Sequence, residues 1–462
     1  MKEILDLLIR EKADYAELRI HKNIEFSFTM SNSNIESSEY LENYGVGIRV
    51  LKDGALAFAS TNSLDSAKEI GLLALKNAKS NKKIKLSKEK IVKRNWKANY
   101  KILPTDIDSS LIIELLKDID NSIKEVNIKT NRLIIFEGSI EEKYYINSEG
   151  TEISSLVPRV GGYIIITAYE GGCIQRIFQF GESGGWERIK EMNLIEKAKE
   201  ETKVLKRILN EGRSIIPGYY DIIIGSEIAG IIAHEGCGHP QEADRILGRE
   251  GAQAGESYIK KNMMGRKIGS SILNISDDPT IENSYGFYLY DDEGVEARKK
   301  KLIYEGRINE FLHNRETAYE FGINSNASAR ASSYSREPII RMSNTFIEPG
   351  DYSFEELLED IKNGIYIKSF QEWNIDDIRW NHRYVGLEAY LIENGELKYP
   401  IREPVIEATT ELLFSSIDAI GNNLEFQAAI CGKGQPDQGI QVWTGGPCLR
   451  LRNIFIKKRC ET

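Results

Sequence analysis

The run Ile231-Ile232-Ala233-His234-Glu235-Gly236-Cys237-Gly238-His239 places two histidines and a carboxylate within six residues, in a chain with only five histidines. Such a set suits zinc-assisted hydrolysis. Neutral imidazoles hold a borderline-soft cation, and a carboxylate outside the coordination shell takes a proton from the bound water. The run also restricts the fold. Histidines at i and i+4 lie about 40° apart on a helical wheel, whereas at i and i+5 they lie about 140° apart, so a regular helix turns them to different sides. Gly236 and Gly238 permit a widened or broken turn. The spacing therefore predicts a helix from Ser226 that carries His234 and Glu235, then a bulged or broken last turn that swings His239 back. The plain alternative is a buried helix end with one hydrogen-bonded histidine and one incidental one.

A chain of 462 residues exceeds what one core usually serves. The pattern predicts an α+β protein: N-terminal helix and antiparallel-sheet units at 1–80 and 81–213, then a β-rich C-terminal unit at 214–462 carrying the metal helix. In the first unit, a helical stripe over Met1–Lys12 precedes strands at Ala16–Phe28, Ile35–Tyr40, Gly45–Leu51 and Ala55–Ala59. Asp53-Gly54 is a hairpin turn, and a helix runs from Asn62 to Ala78. In the second unit, Lys79–Tyr100 reads as a connecting loop and Asp106–Val126 as a helix. Leu133–Ile140, Gly150–Val157 and Gly161–Tyr169 are rich in β-branched residues, and Trp186–Leu209 is an amphipathic helix. In the third, Tyr219–Ile224 is a buried strand and Gly248–Lys267 a polar, mobile cover. Strands follow at Ser271–Ser276, Tyr285–Tyr290, Lys301–Glu305 and Arg307–Phe311. Asn324–Glu337 has no hydrophobic period; its composition favours disorder over a substrate-facing loop. Phe354–Gly364 is a helix, and strands continue to Lys457.

Composition narrows the class. A net charge of −9 argues against a general nucleic-acid binder. The basic runs Arg298–Lys301 and Lys457–Arg459 read as solvated faces. No segment has the apolar length of a membrane span, and Met1–Lys12 mixes charge with apolar residues, unlike a signal peptide. The expectation is a cytoplasmic protein with no membrane or nucleic-acid partner. Five cysteines, Cys173, Cys237, Cys431, Cys448 and Cys460, are odd in number and widely spread, which is no disulfide framework. His21, His313 and His382 stand alone and are read as surface or hydrogen-bonded structural residues.

Four segments in order resemble the TldD/PmbA family of metallopeptidases, also known as modulators of DNA gyrase. Tyr219–His239 is similar to its strand, turn and H-E-x-x-x-H helix. Tyr290-Asp291-Asp292-Glu293-Gly294 resembles its D-D-E-G segment. Arg341-Met342-Ser343-Asn344-Thr345 with Pro349-Gly350-Asp351 resembles R-M-x-N-T…P-G-D. Ala429-Ile430-Cys431-Gly432-Lys433 resembles the loop that supplies a thiolate. The resemblance implies a zinc peptidase with one zinc per chain on His234, His239 and Cys431. Glu235 would act as general base on the bound water and pass its proton to the leaving amine. Without the resemblance, Cys431, after the strand Leu424–Ile430 and at the opening of the loop Cys431–Gln435, reads as a buried structural cysteine in preference to a ligand. Cys237 and Glu242 are local competitors for the third ligand; Glu242 could instead hydrogen-bond a ligand imidazole. Asp292, Arg341 and Asn344 are candidates for substrate contact, the last two equally for bracing the fold. Arg298 and Lys299 share the offset of the family's basic residue. The segment Pro240–Asp244 departs from the glycine-rich form of the bacterial branch. The resemblance further implies unfolded or short peptides as substrates, bound as an added strand, and a homodimer or a heterodimer with a related subunit. The rival reading is a non-hydrolytic modulator with a structural or vestigial metal site.

Overall fold

Seven strands in the first two hundred residues build one long-stranded, mainly antiparallel sheet. The structure is a computed structural model and describes residues 1–80, 83–251, 255–434 and 436–459. After helix α1 (Lys2–Arg10), strands β1 (Tyr15–Ser31) and β2 (Asn34–Lys52) pair from Tyr15↔Leu51 to Ser31↔Asn34. The strands predicted at 35–40 and 45–51 are thus one strand. Its polar middle stays extended because the cross-strand ladder, not a buried face, holds it. Asp53 and Gly54 take φ of 51° and 79° and turn the chain into β3 (Ala55–Thr61). Helix α2 (Ala67–Asn77) starts five residues later than the composition suggested.

The stretch predicted as a connecting loop contains β4 (Lys93–Lys97), paired in parallel with a later strand. Helix α3 (Ser109–Lys124), with Asp108 accepting from Ser110 N as its cap, precedes β5 (Lys129–Asn147), β6 (Glu152–Tyr169) and β7 (Cys173–Ser183). The strand order is β3-β2-β1-β5-β6-β4, with β7 also on β6. Strands from 1–80 and 81–213 therefore share one sheet, joined where β1 pairs β5 along its length. The predicted helix 186–209 is two helices, α4 (Glu187–Glu191) and α5 (Leu194–Glu211). Asn193 between them sits at φ 48°, left-handed and incompatible with a continuous helix. Leu5 and Leu8 of α1 pack with α2 over Leu18, Ile48 and Val50. Ile112, Leu116 and Ile119 of α3 pack with α5 over Ile134, Phe136 and Ile164.

Beyond residue 217 two sheets enclose a helix. In a ten-stranded sheet, Gly218–Ile224 lies between Asn363–Ile367, parallel, and Leu449–Lys458, antiparallel. A six-stranded sheet ends with Asn344–Ile347, Gln438–Gly446 and, at its edge, Glu425–Lys433. Between them runs α6 (Ser226–Ala233), whose Ile228 and Ile232 are buried among Ile222, Ile224 and Ile347. Gly230 lets α6 lie directly on strand backbone: a β-carbon there would come within 2.8 Å of Gly445 N. The architecture is mixed α+β with β-rich units. Among the described residues, no helix is long and apolar enough to cross a membrane.

Three expectations in this half are corrected. Tyr285–Tyr290 is no strand but a run of turns, and the predicted strand at 271–276 is confined to Ile275–Asp277. Asn324–Glu337 is ordered, with Ser325–Ala331 buried. Hydrogen bonds hold it in place of an apolar face: Asp291 and Asp292 accept from Ala329 N and Ala331 N, and Arg19 and Asn23 of β1 reach the carbonyls of Ser333 and Ser332. In the predicted mobile cover 248–267, Ser257 and Ile259 are buried; residues 252–254 lie outside the described residues, as do Gln435 and Cys460.

Candidate metal centre

The α-helix ends at Ala233, and His234–Gly238 form one π-helical turn, followed by a 3-10 turn at His239–Gln241. A π turn adds a residue per turn, and this brings positions i and i+5 to one face. The predicted broken turn is this one. The His234 and His239 rings meet edge to face with centroids 4.9 Å apart. Gly238 packs closely against Met342: a β-carbon there would lie 1.9 Å from Met342 Sδ, so that side chain would have to shift.

Cys431 reaches the pair from a distant strand. It lies inside Glu425–Lys433, opposite Ile440, and not at the opening of a loop as the sequence suggested, because the ladder continues to Lys433↔Gln438. Its Sγ is 3.4 Å from His239 Nε2. Ligand atoms of His234, His239 and Cys431 all lie within 4.8 Å of one another, and this is a group able to hold a metal ion. The fit extends to the protonation states. His239 Nδ1 donates to Glu242 Oε2 at 3.0 Å, so the ring presents Nε2 toward Cys431. His234 Nδ1 is buried without a hydrogen-bond partner among the described residues. Burial lowers the pKa of both histidines and so favours neutral imidazoles. Burial pushes the Cys431 thiol up, but His239 when protonated and the Arg341 guanidinium outweigh it and bring the thiol down to about 7. Two imidazoles and a readily formed thiolate are a donor set that suits zinc.

Glu235, also on the π turn, is buried, and its Oε2 accepts from Arg379 Nη1 at 2.6 Å. Of the competitors, Glu242 makes the imidazole hydrogen bond and also accepts from Arg245 at 2.6 Å. Burial would raise its pKa, but Lys433, His239 and Arg245 hold it well below the usual range. Cys237 belongs to the apolar core cluster, and burial raises its thiol well above the ordinary value.

The other candidates are engaged elsewhere. Asp292 meets Lys143 at 3.0 Å and Ala331 N at 2.7 Å, where the N-terminal sheet abuts the C-terminal unit. Arg341 donates to the carbonyls of Gln438 and Cys431, clamping the hairpin that carries the thiol. Asn344 accepts from Gly286 N and Trp443 N and donates to Asp278 O and Ser284 Oγ, so its amide has no capacity left. Arg298 and Lys299 are exposed and pair with Glu310 and Glu348; the buried cation of that run is Lys300, 3.0 Å from Asp277. His313 bonds Thr317, and His382 bonds Tyr384 and Thr410, as structural histidines would. His21 is buried, its pKa lowered to about 3 chiefly by that burial. Sequence reasoning missed Arg379 and Lys433. Lys433 is fully buried, 2.7 Å from Asp244 and 3.3 Å from Glu242. Its position two residues after Cys431, and so on the same face of the strand, was a usable signal. Arg379 carries none, since it sits in a turn far from any motif.

The chain is similar to known proteins along most of its length. The PmbA/TldA metallopeptidase C-terminal domain matches residues 217–458, domain 1 of the same family matches 16–80 and its central domain 102–206. A metalloprotease of Methanocaldococcus jannaschii is 32% identical over 95% of this chain and 96% of its own length. A zinc metalloprotease TldD homolog of Saccharolobus solfataricus is 30% identical over 74% of this chain and 76% of its own. The crystal structure of TldE from Thermococcus kodakarensis superposes with a TM-score of 0.80 at 18% identity, covering 99% of both chains, a likeness of fold.

Proposed function

The chain belongs to the PmbA/TldA metallopeptidase family, and from that premise we propose that it is a zinc-dependent peptidase of the TldD type that hydrolyses unfolded or short peptides. The observation that carries the reading is the convergence of His234, His239 and Cys431, with the buried carboxylate of Glu235 on the same π turn as His234. One zinc per chain would be held by those three residues, and bound there it supplies Lewis acidity for a peptide carbonyl and for water. Glu235 takes the proton from the attacking water and delivers it to the leaving amine. Glu242 fixes the His239 ring, and Lys433 and Arg245 keep Glu242 ionised. Arg341 and Asn344 brace the fold, and Asp292 does the same at the seam between units. Residues 1–80 and 81–213 form a platform beside the catalytic unit 214–462. The substrate enters extended, as a strand added to a sheet edge, within a homodimer or a heterodimer with a related subunit. Cys173, Cys237, Cys431 and Cys448 are all free thiols, in keeping with a cytoplasmic setting.

The test combines metal content with cleavage of an unstructured peptide pool. Wild type is expected to hold about one zinc and to cleave in a chelator-sensitive way. Cys431→Ser should lose both metal and cleavage. Glu235→Gln should keep the metal and lose turnover by at least about a hundredfold, the scale of a lost general base. Wild type that holds zinc and cleaves nothing would favour the non-hydrolytic modulator, and protein that takes up no zinc would overturn the reading.

A further inference from the structure

We propose that Arg379 is the positioning residue for Glu235, fixing one carboxylate oxygen so that the other faces the reacting water; this rests on the reading of Glu235 as base. Glu235 Oε2 accepts from Arg379 Nη1 at 2.6 Å, while no hydrogen bond engages Oε1 among the described residues. Arg379 Nε is likewise buried without a partner among the described residues, so the guanidinium spends its one strong contact on this carboxylate.

The turn that delivers Arg379 is built for that contact. Arg379 is a non-glycine residue at φ 66°, a conformation that persists only where the surroundings impose it. Asp376 imposes it from one side: its carbonyl accepts from Arg379 N, and its carboxylate accepts from Trp380 N at 2.7 Å and Asn381 Nδ2 at 2.6 Å. Thr410 imposes it from the other. Its hydroxyl donates to Arg379 O at 2.9 Å and is itself 2.9 Å from His382 Nε2. Tyr258 then bolts the turn to the metal motif. Its N donates to Ile378 O, its ring packs on Trp380 at 5.0 Å, and its hydroxyl donates to Gly236 O at 2.9 Å, the carbonyl next to Glu235. A change in the turn is thereby transmitted to the base through both a side chain and the backbone. A surface ion pair would need no such frame.

The experiment uses the full chain loaded with metal. Arg379→Gly suits it, because glycine takes φ 66° without strain and the turn keeps its shape. We expect kcat to fall about a hundredfold, the loss typical of a misplaced reacting group, with KM within about threefold of wild type. Arg379→Lys should recover a large part of kcat, and added guanidinium should partly restore Arg379→Gly. Adding Arg379→Gly to Glu235→Gln should cost nothing further, since the arginine acts through that carboxylate. Cobalt-substituted protein gives a readout independent of cleavage: its visible band should move alike in Arg379→Gly and Glu235→Gln, and stay in Arg379→Lys. A loss confined to KM, an additive loss in the double variant, or an unmoved cobalt band would overturn the assignment. Wild type that binds metal and cleaves nothing would instead count against the peptidase reading, and the cobalt comparison would still decide the role of Arg379.

Discussion

The His239 ring is oriented by the atom on its far side. His239 offers Nε2 because Glu242 occupies Nδ1, and Glu242 can accept that proton as an anion only because Lys433 and Arg245 lie beside it. Outer partners of this kind are worth about ten- to a hundredfold in metal affinity. Glu242→Gln is therefore expected to weaken zinc binding by about that factor, read by competition with a chromophoric chelator. Unchanged affinity would show that the ring is oriented by packing alone. The motif announced His234, Glu235 and His239 because they are contiguous, and adjacency made Glu242 a candidate. The fate of Asp292, Arg341 and Asn344 was not legible. A polar residue in a motif reads the same whether its partner is substrate or a backbone group, and the partners here lie 39 to 99 residues away.

At the scale of the element, the π turn is what makes a five-residue histidine spacing useful. Its glycines do different work. A β-carbon at Gly236 would meet Thr410 Cγ2 at 3.3 Å and the His382 ring at 3.4 Å, tight but adjustable. At Gly238 it would fall 1.9 Å from Met342 Sδ in a fully buried site. Gly238→Ala is expected to cost about 1–3 kcal/mol by overpacking and to lower zinc occupancy, whereas Gly236→Ala costs less. Thermal melts and zinc content would check this. Met342→Ala added to Gly238→Ala should restore part of the loss, and failure to do so would place the strain elsewhere. The sequence predicted the break, because glycines and spacing are local. It placed other boundaries less well where a long-range ladder overrode local composition. The polar middle of β2 is one case, and the extension of the thiol-bearing strand past Cys431 is another.

At the scale of the molecule, the N-terminal sheet is tied to the C-terminal unit by buried ions as well as by apolar contact. Arg49 on β2, 2% exposed, pairs with Glu17 at 2.9 Å and with Glu293 at 2.5 Å. Burial would lower the Arg49 pKa, but the two carboxylates raise it well above its ordinary value. Removing the cation leaves two buried carboxylates uncompensated, a change that typically costs about 3–5 kcal/mol. Arg49→Met is expected to destabilise by that amount in denaturant titration, and Glu17→Gln with Glu293→Gln in the same chain should recover much of it. A near-neutral Arg49→Met would mean that the seam is held by its apolar contacts. This seam also explains the ordered 324–337 segment, whose composition favoured disorder. It is polar because its partners are the charged residues of the seam, and those partners exist only when the two units meet.

What the sequence determined by itself was local chemistry. It specified a helix that must break between two histidines, a carboxylate directly after the first of them, an α+β alternation of periods and a set of motifs sufficient to recognise the family. These follow from residues near one another in the chain. Only the tertiary structure decided the rest. It brought Cys431 across 192 residues to His239, set Arg379 on Glu235 and Lys433 beside Glu242, and turned the acidic Asp291–Glu293 run inward as the seam between units. The reason is physical. A buried ion or thiol is stabilised by whatever charge the fold brings opposite it, and that partner is fixed by strand order and packing, neither of which is written in the residue's own neighbourhood.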